Sequence, residues 1–357
     1  MGTRYRSKSV LQTYGIDAPV AGLSWLGRQG TRAVAALVVI GIAVPAIGAL
    51  LKPFVTEAIF VLLCVAFLRV DPAAFRGCLA RPVIVLAATA WTTAVLPALF
   101  GAGYLVFGLS DRSPDLFLAL ILQAVASPMM AAPALAALMG LDSTLVLVTL
   151  VTSTAVIPFS APAFTYAFIG DGLTLSPLAL GLRLLAILTG SALVGTIVRR
   201  MAGSAAIERQ TDRINGVNIL VLFVFVAAVM EGVAARFLAA PLITVGLAAL
   251  AFVVYFAVLG LTSLLFVRAG RERAFVLGLM ASQRNMGLML AATGGALPDL
   301  TWLYFALSQF PIYLSPQLLR PLARWLVARS QTAPKAIGAF DPHEGKRGDS
   351  DPTFEVR

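Results

Sequence analysis

The sequence predicts an all-α fold: a polytopic membrane protein of ten transmembrane helices, arranged as two inverted five-helix repeats. Three observations lead there. Apolar runs of about twenty residues, the length a helix needs to cross a bilayer, recur along the chain. The basic residues gather on alternate loops. The fourth run of each half is interrupted by proline or by consecutive polar residues. The 357 residues are 59% hydrophobic and 12% charged, with a mean hydropathy of +0.90, whereas a soluble domain is about 25% charged.

A polar, basic leader occupies residues 1–32, with Arg4, Arg6, Lys8, Arg28 and Arg32. No cleavage site follows the first apolar run, so no removable signal sequence is expected. The first five-helix repeat covers 33–170. Its spans run Ala33–Leu51, Phe54–Leu68, Pro82–Phe107, Leu116–Met139 and Leu145–Ile169. The second repeat covers 178–327, with spans Leu178–Val198, Ile214–Met230, Pro241–Val267, Ala274–Gly295 and Leu300–Leu319. The tail, 328–357, turns polar and rich in Pro, Gly and charge. It holds too little apolar surface to fold alone and is expected to be disordered.

With ten spans, Lys52, Arg112, Arg183 and Arg236 fall on one side and Arg284 within the membrane. All the other basic residues of the 27 fall on the opposite side. The positive-inside rule then places both termini in the cytoplasm of a multi-pass protein of the cell (inner) membrane. The net charge of +10 is explained by this topology, and no nucleic-acid partner is expected. Cys64 and Cys78 lack the spacing of a disulfide or a metal site, and the lone His343 lies in the tail.

The breaks carry the functional signal. Proline lacks a backbone donor and clashes with the preceding turn, so Ser127-Pro128 interrupts the fourth span. In the ninth, Ser282-Gln283-Arg284-Asn285 sit between Gly278 and Gly287 in an otherwise apolar run. An arginine at that depth costs about 2.5–3.5 kcal/mol on insertion scales unless it meets a cavity or a partner. Breaks at matching positions of inverted repeats point to a transporter binding site. Irregular backbone at membrane depth is tolerated only where it is buried in protein or lines a cavity.

The chain is similar to the bile acid:sodium symporter family. The resemblance rests on Phe67-Leu68-Arg69-Val70-Asp71, on Ser153-Thr154-Ala155-Val156-Ile157-Pro158 with Pro162, and on Asn285-Met286-Gly287-Leu288. It extends over Ala33 to Leu326. It implies that spans four and nine unwind and cross at the centre of a core domain, while spans one, two, six and seven form a panel.

Sodium-coupled members carry Glu, then Gln-Asn four and five residues later, in the ninth span; here those positions read Met280, Arg284 and Asn285. Their span-five Ser and Thr ligands fall on Val146 and Leu150, and the Ser-Asn pair of span four falls on Ser127-Pro128. Sodium coupling is therefore not expected. Proton exchange would need carboxylates at mid-membrane, and spans four, five and nine have none there. Glu57, Asp142, Glu231 and Asp299 all lie near span ends.

In the coupled carriers a bound cation supplies positive charge beside the crossing. Here the permanently charged, planar guanidinium of Arg284 would supply it, matched to a carboxylate. The expected function is secondary transport of an organic carboxylate anion by alternating access. The expected site is Arg284, Gln283, Asn285 and Ser282, faced by Ser127, with Gln123 and Thr149 at its edge. The N-terminal ends of the half-helices after Pro128 and Asn285 would aid it. The structural alternative has Arg284 bonded to unwound carbonyls near Ala126 or to a helix C-terminus.

Other polar and sulfur-bearing residues of the spans are expected to act locally. Thr152, Ser153 and Thr154 bond carbonyls in their own helix or join spans. The methionines Met129, Met130, Met286 and Met289 serve as adaptable packing. Glu57 snorkels to the interface. Enzymatic activity is not expected, because the spans lack a base, nucleophile or metal set. No cofactor is called for, and the expected partners are the small organic anion and the lipid bilayer. The competing functions are a sodium-coupled symporter with non-standard ion ligands and a non-transporting membrane receptor or sensor.

Overall fold

The computed structural model describes residues 21–29, 36, 39–41, 43–70, 82–170, 175–295 and 297–332. The expectations for Cys78, for most of the leader and for the tail beyond 332 lie outside these residues. Among the described residues the protein is all-helical and contains no strand. Six stretches are long and apolar enough to cross a bilayer: Pro45–Arg69, Pro82–Val106, Ser143–Ile169, Pro177–Ala202, Thr211–Ala239 and Pro241–Leu265. Their outer faces expose Val83, Leu86, Val106, Leu242 and Leu264, an apolar surface suited to lipid.

The main helices of the first half are α1 (Pro45–Leu51), α2 (Val55–Arg69), α3 (Pro82–Val106), α4 (Pro114–Val125), α5 (Ala132–Leu138) and α6 (Ser143–Ile169). The second half contributes α7 (Pro177–Ala202), α8 (Thr211–Val229), α9 (Pro241–Leu265), α10 (Arg271–Ser282), α11 (Met286–Ala292) and α12 (Asp299–Thr332). Several starts are set by local chemistry. Proline opens α1, α4, α7 and α9, where its missing N–H would have had no helical partner. The Asp142 side chain accepts from the Leu145 N–H at 3.0 Å and caps α6.

Although Pro45–Arg69 is helical throughout, the chain reverses inside it, at the 3-10 turn Lys52–Phe54. Gly27 lies against Asp212 and Gly216 near the start of α8, and Gly48 lies against Ala227 and Glu231 near its end. Arg69, at the end of α2, is back at the start of α8, where its Nη2 donates to Asn215 Oδ1 at 2.7 Å. One pass along α8 goes out and the next returns. A Cβ on Gly48 would stand 2.6 Å from the Ala227 carbonyl oxygen, so glycine is what permits this close approach.

The helices form two groups, which also meet where α6 packs on α7. In one, α1 and α2 pack on α8, and α2 also packs on α7. In the other, α9 packs on α10 and α12, α6 on α3, and α4 on α3, α6 and α12. The short α11 belongs to the broken pair yet packs on α2 and α7 of the first group, with Gly287 against the Phe225 ring. The core of the second group holds fully buried Leu120, Ile121, Leu150, Ile157, Tyr304 and Phe305.

Both expected breaks are present. Helix α4 stops at Val125 and α5 begins at Ala132, whereas α10 stops at Ser282 and α11 begins at Met286. Pro128 offers no donor and steers Ser127 away from helical dihedrals. Pro158 and Pro162, by contrast, sit inside the continuous helix α6. One boundary moves. The last helix, read as ending near Leu319 with a polar tail from 328, continues to Thr332. Leu319, Ala323 and Leu326 keep one face buried there while Arg320 and Arg324 take the exposed face. The amphipathic spacing sustains the helix where bulk hydropathy has fallen.

Candidate functional site

The two breaks pair with each other. The Met129 N–H donates to the Gln283 carbonyl at 2.7 Å, and the Asn285 N–H donates to the Ser127 carbonyl at 2.8 Å. Pro128 and Arg284 face one another in this antiparallel bridge. Unwound backbone at this depth needs such partners, because no water is at hand to replace them. The Asn285 side chain caps α11, its Oδ1 accepting from the Leu288 N–H at 3.1 Å.

Arg284 is only 3% exposed. Its Nη1 donates to the Ala126 carbonyl at 2.8 Å and to the Thr92 carbonyl at 3.3 Å. Both acceptors are carbonyls that their own helices have released. Ala126 lies just past the end of α4, in extended conformation. Thr92 lies in a π-helical turn of α3, Trp91–Val95, where the Leu96 N–H reaches back to Trp91. In that register the next donor would be residue 97, which is Pro97 and has none. Two orphaned carbonyls from separate helices thus converge on one guanidinium.

The same arginine borders a cavity lined also by Phe100, Tyr104, Gln123, Val254 and Ser282. It is narrow, with room for about one water molecule. The Gln123 Oε1 accepts from the Tyr304 hydroxyl at 2.6 Å, which leaves the amide nitrogen as its free function. The Ser282 hydroxyl donates to the Leu279 carbonyl at 2.9 Å. Among the described residues no carboxylate pairs with Arg284. Asp142 is a helix cap, Glu231 pairs with Lys52 at 2.9 Å, Asp299 pairs with Arg236, and Glu57 is exposed.

Of the expected site residues, Arg284, Ser282 and Gln123 line this cavity. Ser127, Gln283 and Asn285 supply the backbone of the paired breaks. The Ser127 hydroxyl and both amide atoms of Gln283 are buried with no hydrogen-bond partner among the described residues. Thr149 stands apart. Its hydroxyl donates to the Leu145 carbonyl of its own helix at 2.8 Å, and it is not among the cavity-lining residues. The half-helices after the breaks are seven residues each. The start of α11 is already occupied by the Asn285 cap, and α5 has a proline in its first turn.

The neighbouring helices hold the site in place. The Thr92 hydroxyl meets Ser153 of α6 at 3.1 Å, and the Trp91 Nε1 donates to Thr262 of α9 at 2.9 Å. Thr152 bonds the Val148 carbonyl of its own helix at 2.7 Å. Sequence reading missed Thr92, Pro97 and Tyr104. The available signal was Pro97, a proline inside a span, followed in sequence by the aromatic Phe100 and Tyr104. No family model matches the chain. No curated protein matches it either.

Proposed function

We propose that the protein is a secondary transporter for an organic carboxylate anion, working by alternating access and without strict sodium coupling. The proposed architecture is ten membrane crossings in two inverted five-helix repeats, of the bile acid:sodium symporter type, with α4–α5 and α10–α11 as the broken, crossing helices. The grouping of α1, α2, α7 and α8 against the remaining helices supports a panel and a core. The observation that carries the reading is Arg284. Main-chain carbonyls that converge from two helices are a cation's environment, and here they hold a guanidinium instead. A positive charge is therefore built into the pairing of the breaks.

In this reading the paired breaks move with the core as a unit, and the substrate carboxylate is held near them by the field of Arg284 and by the unpartnered Gln283 and Ser127 side chains. The cavity beside Arg284 takes about one water, so an organic anion binds only after the two helix groups separate. Uptake of labelled carboxylates into proteoliposomes tests the reading. Saturable uptake of a carboxylate, with its uncharged amide excluded, is the expected result. Equal uptake of acid and amide would remove the role given to the charge.

A further inference from the structure

We infer that the cavity beside Arg284 is a binding site for a single monatomic anion, chloride in a cell. The inference concerns this cavity and stands whether or not the chain carries carboxylates. A guanidinium has five N–H donors, and both carbonyls that Arg284 meets are taken by Nη1. The planar group therefore has donors left over, on a side chain that borders the cavity. No carboxylate among the described residues neutralises it, and an uncompensated charge at this depth is costly. Beside the Ser282 and Tyr255 hydroxyls, two other polar groups on the wall can donate. Gln123 has its carbonyl oxygen occupied by the Tyr304 hydroxyl, which leaves its amide N–H groups, and Tyr104 brings a phenolic O–H.

A fixed positive charge with N–H donors to spare selects an anion over a cation. The size selects further, since space for about one water excludes a carboxylate with its carbon skeleton and leaves a monatomic anion, for which the wall has to give slightly. The apolar remainder of the wall, with Leu96, Phe100 and Val254, strengthens a charge-assisted contact by excluding bulk water. Because one positive charge serves both, halide in the cavity opposes binding of an organic anion at the paired breaks.

The test is the full-length protein crystallised in bromide, with anomalous diffraction recorded at the bromine edge. An anomalous peak in the cavity, in contact with Arg284, is the expected result. A cavity holding only a non-anomalous water overturns the inference. In detergent solution, replacing gluconate by chloride at constant ionic strength is expected to raise the melting temperature. Tyr104→Phe is expected to weaken that chloride dependence about tenfold in Kd, a loss of about 1.4 kcal/mol. Equal stability in chloride and gluconate contradicts the site even if Arg284→Gln proves unable to fold.

Discussion

The Arg284 guanidinium donates to the Ala126 carbonyl at 2.8 Å, tying the break in α10–α11 to the end of α4 by side chain as well as by backbone. Arg284→Gln leaves that carbonyl and the Thr92 carbonyl without their donor. Each buried, unsatisfied polar group costs about 1–3 kcal/mol, so the unfolding midpoint in detergent is expected to fall clearly. Arg284→Lys is expected to recover only part of the loss, because an ammonium lacks the planar fork. A native midpoint in Arg284→Gln would show that the brace contributes nothing.

Pro97 frees the Thr92 carbonyl by withholding an N–H from the π turn. Pro97→Ala restores a donor that competes with Arg284 for that acceptor. The two changes are therefore expected to couple. The destabilisation by Arg284→Gln should be smaller in a Pro97→Ala background, by about 0.5–3 kcal/mol, the range found for residues in one network. Strict additivity in a double-mutant cycle would mean that the Thr92 contact carries no energy.

Gly278 marks where α10 presses on α9. A Cβ there would stand 2.3 Å from the Ser263 hydroxyl and 2.6 Å from the Leu259 carbonyl. Gly278→Ala is expected to destabilise by about 1–3 kcal/mol through overpacking. Gly246, in α9, has nothing within 4 Å of an added Cβ, so Gly246→Ala should be neutral or slightly stabilising. Thermal melts of the two variants compare them directly, and equal losses would refute the packing argument.

Trp302 of α12 fastens one end of the two helix groups together. Its Nε1 donates to the Val229 carbonyl at 3.2 Å, and the Lys52 ammonium lies 4.9 Å from its ring centroid. Arg183 reaches the Ala292 carbonyl nearby at 3.4 Å. Trp302→Ala is expected to open this end. In a chain with both native cysteines replaced, a cysteine at Ala292 should then react faster with a membrane-impermeant maleimide. A loss of about 1.4 kcal/mol would give a tenfold higher rate. An unchanged rate would mean that Trp302 does not hold the groups together.

The breaks were legible in the sequence because their causes are local: Pro128 lacks a donor, and four polar residues from Ser282 to Asn285 interrupt an apolar run. The carboxylates at helix ends were legible for the same reason. The partners of Arg284 were legible only in part. Ala126 follows from the break beside Pro128, whereas Thr92 is released by a π turn whose register no hydropathy pattern records. Gly278 was read as flanking the break, yet its role is contact with Ser263 and Leu259 of another helix. Thr149 was placed at the edge of the site, but its hydroxyl bonds the Leu145 carbonyl one turn back. The extension of α12 past Leu319 was hidden because charged residues on one face lower the mean hydropathy of an amphipathic helix.

Arg284 is proposed to stand where a coupling cation would otherwise be needed. Uptake of a carboxylate into proteoliposomes, with external sodium replaced by choline, tests it most directly. Saturable uptake that persists unchanged without sodium is the expected result. Uptake that is abolished without sodium would contradict it.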